Sequence, residues 1–231
     1  MSRRAATLVS SLIVAACVSS AARADALILS GAEHGVSSSY AFIGTIIPLP
    51  GNALGSGWGV RLWGDYLAYD YASGPNTIEA SGWGGEVAGV YQFSGAWGWS
   101  NLSLGARYRD TALSPDDPGN SARGARVHLA VQVDGGYNID ASWRMRGIAN
   151  YTSSIDGYYL QPAIDRSVSE RVRLGIDATF QGDKSYKQFS AGANLTIAIS
   201  SIHSFGLRAG TSSNGSDTGL YGGVSFIFTQ N

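Results

Sequence analysis

The chain has three histidines, His34, His128 and His203, and only His128 has an acid on its own strand face. It lies in Ala125–Tyr137, where Ala125, Val127, Leu129, Val131 and Val133 alternate with Arg126, His128, Gln132 and Asp134. A histidine held by a carboxylate is the usual general base of hydrolytic chemistry. Six residues of strand, however, put Asp134 about 20 Å from His128, so any partner must come from a neighbouring strand. A lipid-modifying enzyme with His128 as base is therefore one reading, and a histidine in a polar network is the preferred one. His34 and His203 fall in or near turns. No Gly-x-Ser-x-Gly elbow, His-Glu-x-x-His or phosphate loop occurs. Gly55-Ser-Gly-Trp-Gly59 leads into a strand, and Asp116-Asp117 reads as a solvated loop between prolines. No catalytic, cofactor or metal site is expected. The remaining charge-bearing constellation is arginine-rich: Arg107, Arg109, Arg126, Arg144, Arg146, Arg173 and Arg208. These either favour anions or pair with Asp65, Glu86, Asp134 and Asp177 as a structural plug, and plugging is the preferred reading.

The elements that carry these residues follow a targeting segment. Met1-Ser-Arg-Arg4 is basic, Leu8–Val18 is apolar and Ala22-Arg-Ala24 is a small-x-small cleavage site. The apolar run is too short to span a bilayer as a helix. Residues 1–24 thus read as a cleaved signal peptide and residues 25–231 as one domain. Val14-Ala-Ala-Cys17 also has the pattern of a lipoprotein box, so lipidation of Cys17 competes with cleavage after Ala24. Losing Arg3, Arg4 and Arg23 leaves 13 of the 16 basic residues against 17 acidic ones, a net of −4. That balance offers no nucleic-acid footprint. Cys17 is the sole cysteine, which excludes disulfides and thiolate metal sites from the mature chain.

Period-two alternation between turn signals predicts about twelve strands. They are Leu27–Glu33, Tyr40–Ile47, Gly57–Tyr71, Ile78–Phe93, Trp99–Thr111, Ala125–Tyr137, Trp143–Tyr151, Tyr158–Asp165, Arg171–Gln181, Tyr186–Ile199, Ser204–Gly210 and Gly219–Phe228. Ser114-Pro-Asp-Asp-Pro-Gly-Asn120 is the strongest loop signal, and Ile148 and Ile227 fall on the polar parity of their strands. The fold class is all-β.

Alternation alone does not say which face is inside. Charge sits mid-strand on the polar parity, at Arg61, Asp65, Glu86, Arg107, Arg109, Arg126, His128, Asp134, Arg146, Arg173, Asp177 and Arg208, and both signs suit a water-filled or ion-paired lumen. On the apolar parity Trp58 and Tyr66, Trp83 and Tyr91, and Trp143 and Tyr151 are each eight residues apart. Eight residues span roughly 27 Å, or about 21 Å along the axis at a tilt of about 40°, close to the roughly 25 Å band between aromatic girdles. With the export signal, this predicts an antiparallel up-and-down transmembrane barrel in the outer membrane of a Gram-negative bacterium, in contact with its lipid. The alternative is a soluble sandwich with these aromatics in its core.

Tyr40-Ala-Phe-Ile-Gly44, Ile47-Pro-Leu-Pro-Gly51, Gly57-Trp-Gly-Val-Arg-Leu-Trp-Gly64 with Tyr69-Asp-Tyr71, and Leu104-Gly-Ala-Arg-Tyr-Arg109 followed by Ser114-Pro-Asp-Asp-Pro118 and Gly124 carry a resemblance. In them the sequence resembles the cellulose biosynthesis protein BcsS family. That resemblance implies a supporting, non-enzymatic role in making, exporting or anchoring an exopolysaccharide, with cellulose and the cellulose synthase or export machinery as partners. It brings no catalytic residues. A general porin-like or adhesin-like barrel is the alternative function. Exposed aromatics such as Trp97 and Trp99 are candidates to stack on sugar rings, though girdle or packing roles are preferred.

Overall fold

The computed structural model describes residues 25–230, so the expected signal peptide and Cys17 lie outside the described residues. Twelve strands run in chain order: β1 (Ala26–His34), β2 (Ser38–Pro48), β3 (Gly57–Ser73), β4 (Asn76–Gly95), β5 (Gly98–Ser114), β6 (Gly124–Asn138), β7 (Trp143–Thr152), β8 (Gly157–Ser167), β9 (Val172–Gly182), β10 (Lys187–Ala198), β11 (His203–Ser213) and β12 (Thr218–Gln230). Each pairs antiparallel with its sequence neighbours, and β1 closes on β12 from Ala26↔Gln230 to His34↔Gly222. Closure satisfies the backbone groups that an open sheet would leave at its edges.

The expected strands all form, but β3, β4 and β5 run longer than the alternation indicates. Their pairing continues into tight turns, Ser73↔Asn76 around Gly74-Pro75 and Gly95↔Gly98 around Ala96-Trp97. Gly98 is required in the second turn. Its φ is +132°, and a Cβ there would lie 2.0 Å from the Gly136 carbonyl oxygen.

The barrel is inside-out relative to a soluble protein. Val127 (70% exposed), Ile176 (65%) and Val87 (61%) face outward, while Arg61, Glu86, His128 and Asp177 are buried inside. The soluble-sandwich alternative fails here, since the valines of β6 pack against no second sheet. Ile148 is half-buried on the inward parity of β7.

Two levels of aromatics ring the outer face. Trp58 pairs in register with Tyr91, and Tyr66 with Trp83, so the eight-residue spacings of β3 and β4 lie side by side. Trp58 and Tyr91 meet edge-on at 5.0 Å. Trp143 lies at the first level, beside the strand ends nearest the termini, and Tyr151 at the second, paired with Tyr158. All six are outward; Trp58, Tyr66, Trp83, Trp143 and Tyr151 are exposed and Tyr91 half-buried.

The apolar core cluster, Tyr69, Tyr71, Ile78, Ala80 and Tyr186, is not mid-barrel but at the mouth opposite the termini. There the inner faces of β3 and β4 extend past the charged lumen and meet Tyr186 from the β9–β10 turn, with the Tyr69 and Tyr186 rings 5.0 Å apart.

Candidate functional site

The lumen gathers much of the chain's charge into three networks. The first joins β3, β4 and β5. Arg61 Nη1 donates to Glu86 Oε1 at 2.6 Å, Arg107 donates to both Glu86 and Asp65, and Arg109 Nη2 donates to Asp65 Oδ2 at 2.7 Å. Register explains it: Glu86 lies opposite Arg107, and Asp65 and Arg109 flank Gly84 from either side. A Cβ on Gly84 would come 2.4 Å from Asp65 Oδ1, so glycine at that position lets Asp65 reach a residue two strands away. Tyr40 OH adds a bond to Asp65 Oδ2 at 3.2 Å and accepts from Trp63 Nε1 at 3.1 Å.

Trp63 is itself inward. Phe42 stacks on one side with ring centroids 4.6 Å apart, and the Arg61 guanidinium lies 4.5 Å from its ring centroid. The two partners occupy its π-surface, so it is a packed member of the wall. The second network centres on Arg208 of β11, which grips Asp177 through Nε and Nη2, donates through Nη1 to Glu33 Oε2 at 2.8 Å and through Nη2 to Thr179 Oγ1 at 2.8 Å. Tyr221 OH donates to Asp177 Oδ1 at 3.0 Å. The third sets Arg144 and Arg146 of β7 on Asp165 of β8.

The polar residues expected in the lumen fall into place unevenly. Arg61, Asp65, Glu86, Arg107 and Arg109 come together, and Asp177 joins Arg208. Arg146 finds Asp165, whereas Asp134 has no cation partner among the described residues and accepts from Asn101 Nδ2 and Gln132 Nε2, both at 2.8 Å. Arg173 forms no ion pair among the described residues. Arg126 departs from the expectation: it is exposed at the rim, its Nε donating to the Arg123 carbonyl at 3.1 Å. Its parity is inward, but β6 begins only two residues earlier, so the side chain clears the lumen.

His128 is buried on β6 directly opposite Arg107, and its Nδ1 has no hydrogen-bond partner among the described residues. His34 Nδ1 and His203 Nδ1 contact the hydroxyls of Ser39 and Ser200.

Glu33, Asp165 and Tyr40 escaped the sequence reading. On β1 both parities are apolar (Leu27 and Leu29 inward, Ile28 outward), so alternation gave Glu33 no direction. Asp165 closes the expected strand Tyr158–Asp165, where a carboxylate reads as a turn residue.

The lumen is crossed by contacts between distant strands. A circular twelve-strand barrel with strands about 4.8 Å apart and tilted about 40° has a backbone diameter on the order of 24 Å, and strands four apart lie roughly 21 Å from each other. Yet Ser38 Oγ of β2 donates to Gln188 Oε1 of β10, four strands away, at 2.8 Å. Two short side chains do not bridge 21 Å, so the section is pinched at this mouth. The β1–β2 turn is drawn in as well, with Val36 N donating to Ser212 Oγ at 2.9 Å. A cavity lined by Glu33, Gln188, Arg208 and Tyr221 has a volume of about 10 Å³, room for one water.

The neighbouring β9–β10 turn is ordered by Asp183, whose Oδ1 accepts from the amides of Ser185 (2.7 Å) and Tyr186 (3.0 Å). Burial nonetheless pushes the Asp183 carboxyl above its ordinary value. Over the β5–β6 loop, Tyr71 OH donates to Asp117 Oδ2 at 3.0 Å and accepts from Asn120 Nδ2 at 2.6 Å. What the arrangement offers chemically is an ion-paired interior with arginine surplus, and no nucleophile–base–acid alignment among the described residues.

A family model described as cellulose biosynthesis protein BcsS matches residues 27–230. No curated protein matches the sequence. Among solved structures the chain is similar to the beta domain of the Bordetella autotransporter Brka, with a TM-score of 0.51 and 13% identity over 89% of this chain and 98% of that one. It is also similar to the KdgM porin, at a TM-score of 0.49 and 11% identity over 87% of this chain and 98% of that one. At these identities the likeness speaks for the fold alone: the closed barrel is of the kind seen in the autotransporter beta domain.

Proposed function

From the premise that the chain belongs to the cellulose biosynthesis protein BcsS family, we propose that it is a non-enzymatic outer-membrane accessory that holds or organises cellulose at the cell surface of a Gram-negative bacterium. One observation carries this reading: the family match runs from the first strand to the last, so the family's role rests on the barrel itself. The outward apolar band between two aromatic levels supports a bilayer location, because Trp and Tyr favour the membrane interface. Anchoring is favoured over conduction of a glucan because ion-paired side chains line the lumen and contacts across the mouth opposite the termini pinch it. A catalytic role for His128 is disfavoured by its neighbours. A general base needs a partner that stabilises its protonated form, and His128 faces the cation Arg107.

Deleting the gene and staining with calcofluor or Congo red tests the role. Loss or release of cellulose, restored by the wild-type gene and equally by His128→Ala, is expected. Unchanged cellulose would sink the reading, and altered lipid composition in His128→Ala would restore the enzyme alternative. The porin-like alternative predicts steady ion conductance of the refolded protein in planar bilayers, where a closed lumen gives none.

A further inference from the structure

The three charge networks of the lumen are not balanced alike. Arg208 faces two carboxylates, Asp177 and Glu33, and Arg61, Arg107 and Arg109 share Asp65 and Glu86. On the wall made by β7 to β10, Arg144 and Arg146 lean on the single carboxylate of Asp165, whose side chain is fully buried. Register places these groups in one row across the wall: Arg144 opposite Asp165, Asp165 opposite Gly175, and Gly175 opposite Asn194. Arg173 stands on the next inward row of β9, between Ser167 and Thr196. Arg146 ties the row together, donating to Asp165 and, through Nη2, to Asn194 Oδ1 at 3.3 Å.

Three buried atoms of this patch have no hydrogen-bond partner among the described residues: Arg144 Nε, Arg173 Nη1 and Asn194 Nδ2. All three are donors. The patch therefore holds three guanidiniums against one carboxylate, with its unmet capacity all of one kind. Buried donors without acceptors are costly, and guanidinium forks match the paired oxygens of carboxylate and phosphate. The Arg144 and Arg146 side chains keep 23% and 33% of their surface exposed, so a solute in the water at the termini end can reach them.

We propose that Arg144, Arg146, Arg173 and Asn194 form an oxyanion-binding site inside the termini end of the barrel, taking a carboxylate or phosphate group. The site stands independently of the cellulose reading, because it is tested on the isolated protein. The full chain, refolded in detergent, is titrated calorimetrically at low ionic strength with inorganic phosphate, with glucuronate and with glucose. Saturable one-site binding of phosphate, glucuronate or both is expected, and glucose gives none. Phosphate alone identifies a phosphate-bearing ligand, and glucuronate alone a carboxylated saccharide. Arg173→Gln weakens binding at least ten-fold, while Asp165→Asn, which removes the competing carboxylate, strengthens it. Arg126→Gln at the opposite rim leaves it unchanged. Where Arg173→Gln fails to give the gel mobility of a folded barrel, Arg173→Lys, which keeps the charge and loses the fork, weakens binding several-fold. No saturable binding by the folded wild type overturns the proposal. So does full affinity in the Arg173 variants, or an equal loss in Arg126→Gln.

Discussion

Replacing Val87 with arginine asks whether the outer face meets lipid or water. Val87 is 61% exposed, lies midway between Trp83 and Tyr91 on β4, and pairs with Leu62, which is midway between Trp58 and Tyr66 on β3. Four residues of strand at a tilt of about 40° put it roughly 10 Å from either aromatic level, at the centre of the proposed apolar band. An arginine at a bilayer midplane costs a barrel about 2–4 kcal/mol, falling to about 0–1 kcal/mol near the interface. On a water-exposed surface the same change stays within about 0.5 kcal/mol. Leu220, 81% exposed and two residues from the start of β12 near the pinched mouth, supplies the interfacial control. Equilibrium unfolding by guanidinium in phospholipid vesicles, followed by tryptophan fluorescence, should separate Val87→Arg from wild type by about 30- to 700-fold in the folding constant, at about 1.4 kcal/mol per decade. Leu220→Arg should change it by less than about six-fold. If both variants stay within about 0.5 kcal/mol of wild type, the outer face is not in lipid and the membrane reading is wrong.

Asp65→Asn removes the charge that holds Arg107, Arg109 and Tyr40, leaving Arg109 without a carboxylate partner; a loss of about 3–5 kcal/mol is expected in the same unfolding assay. A loss below about 1 kcal/mol would mean that lumen water screens the network. At the pinched mouth Asp183 has a folded pKa above its unfolded one, so its contribution is greatest below the unfolded value and is lost as pH rises through the folded value. Asp183→Asn, which keeps an acceptor for the Ser185 and Tyr186 amides, should match wild type at acidic pH and exceed it at pH 8. Equal unfolding midpoints at both pH values would remove burial of that charge as the cause.

Much of this molecule is local, and its sequence determines it. A strand carries a period of two, so β6 shows its valine face and its Arg126–Asp134 face without reference to anything else. The same locality made the twelve strands and the eight-residue aromatic spacing legible. Tertiary structure decided what depends on register between strands. Asp165 became the lone carboxylate under Arg144 and Arg146 only because β8 pairs with β7 at that offset. Glu33 met Arg208, 175 residues away in the chain, only because β1 closes on β12. The mouth was pinched by Ser38–Gln188 and Tyr69–Tyr186, contacts between elements far apart around the barrel. Alternation tells a residue which side of its own strand it is on; closure and register tell it whom it meets there.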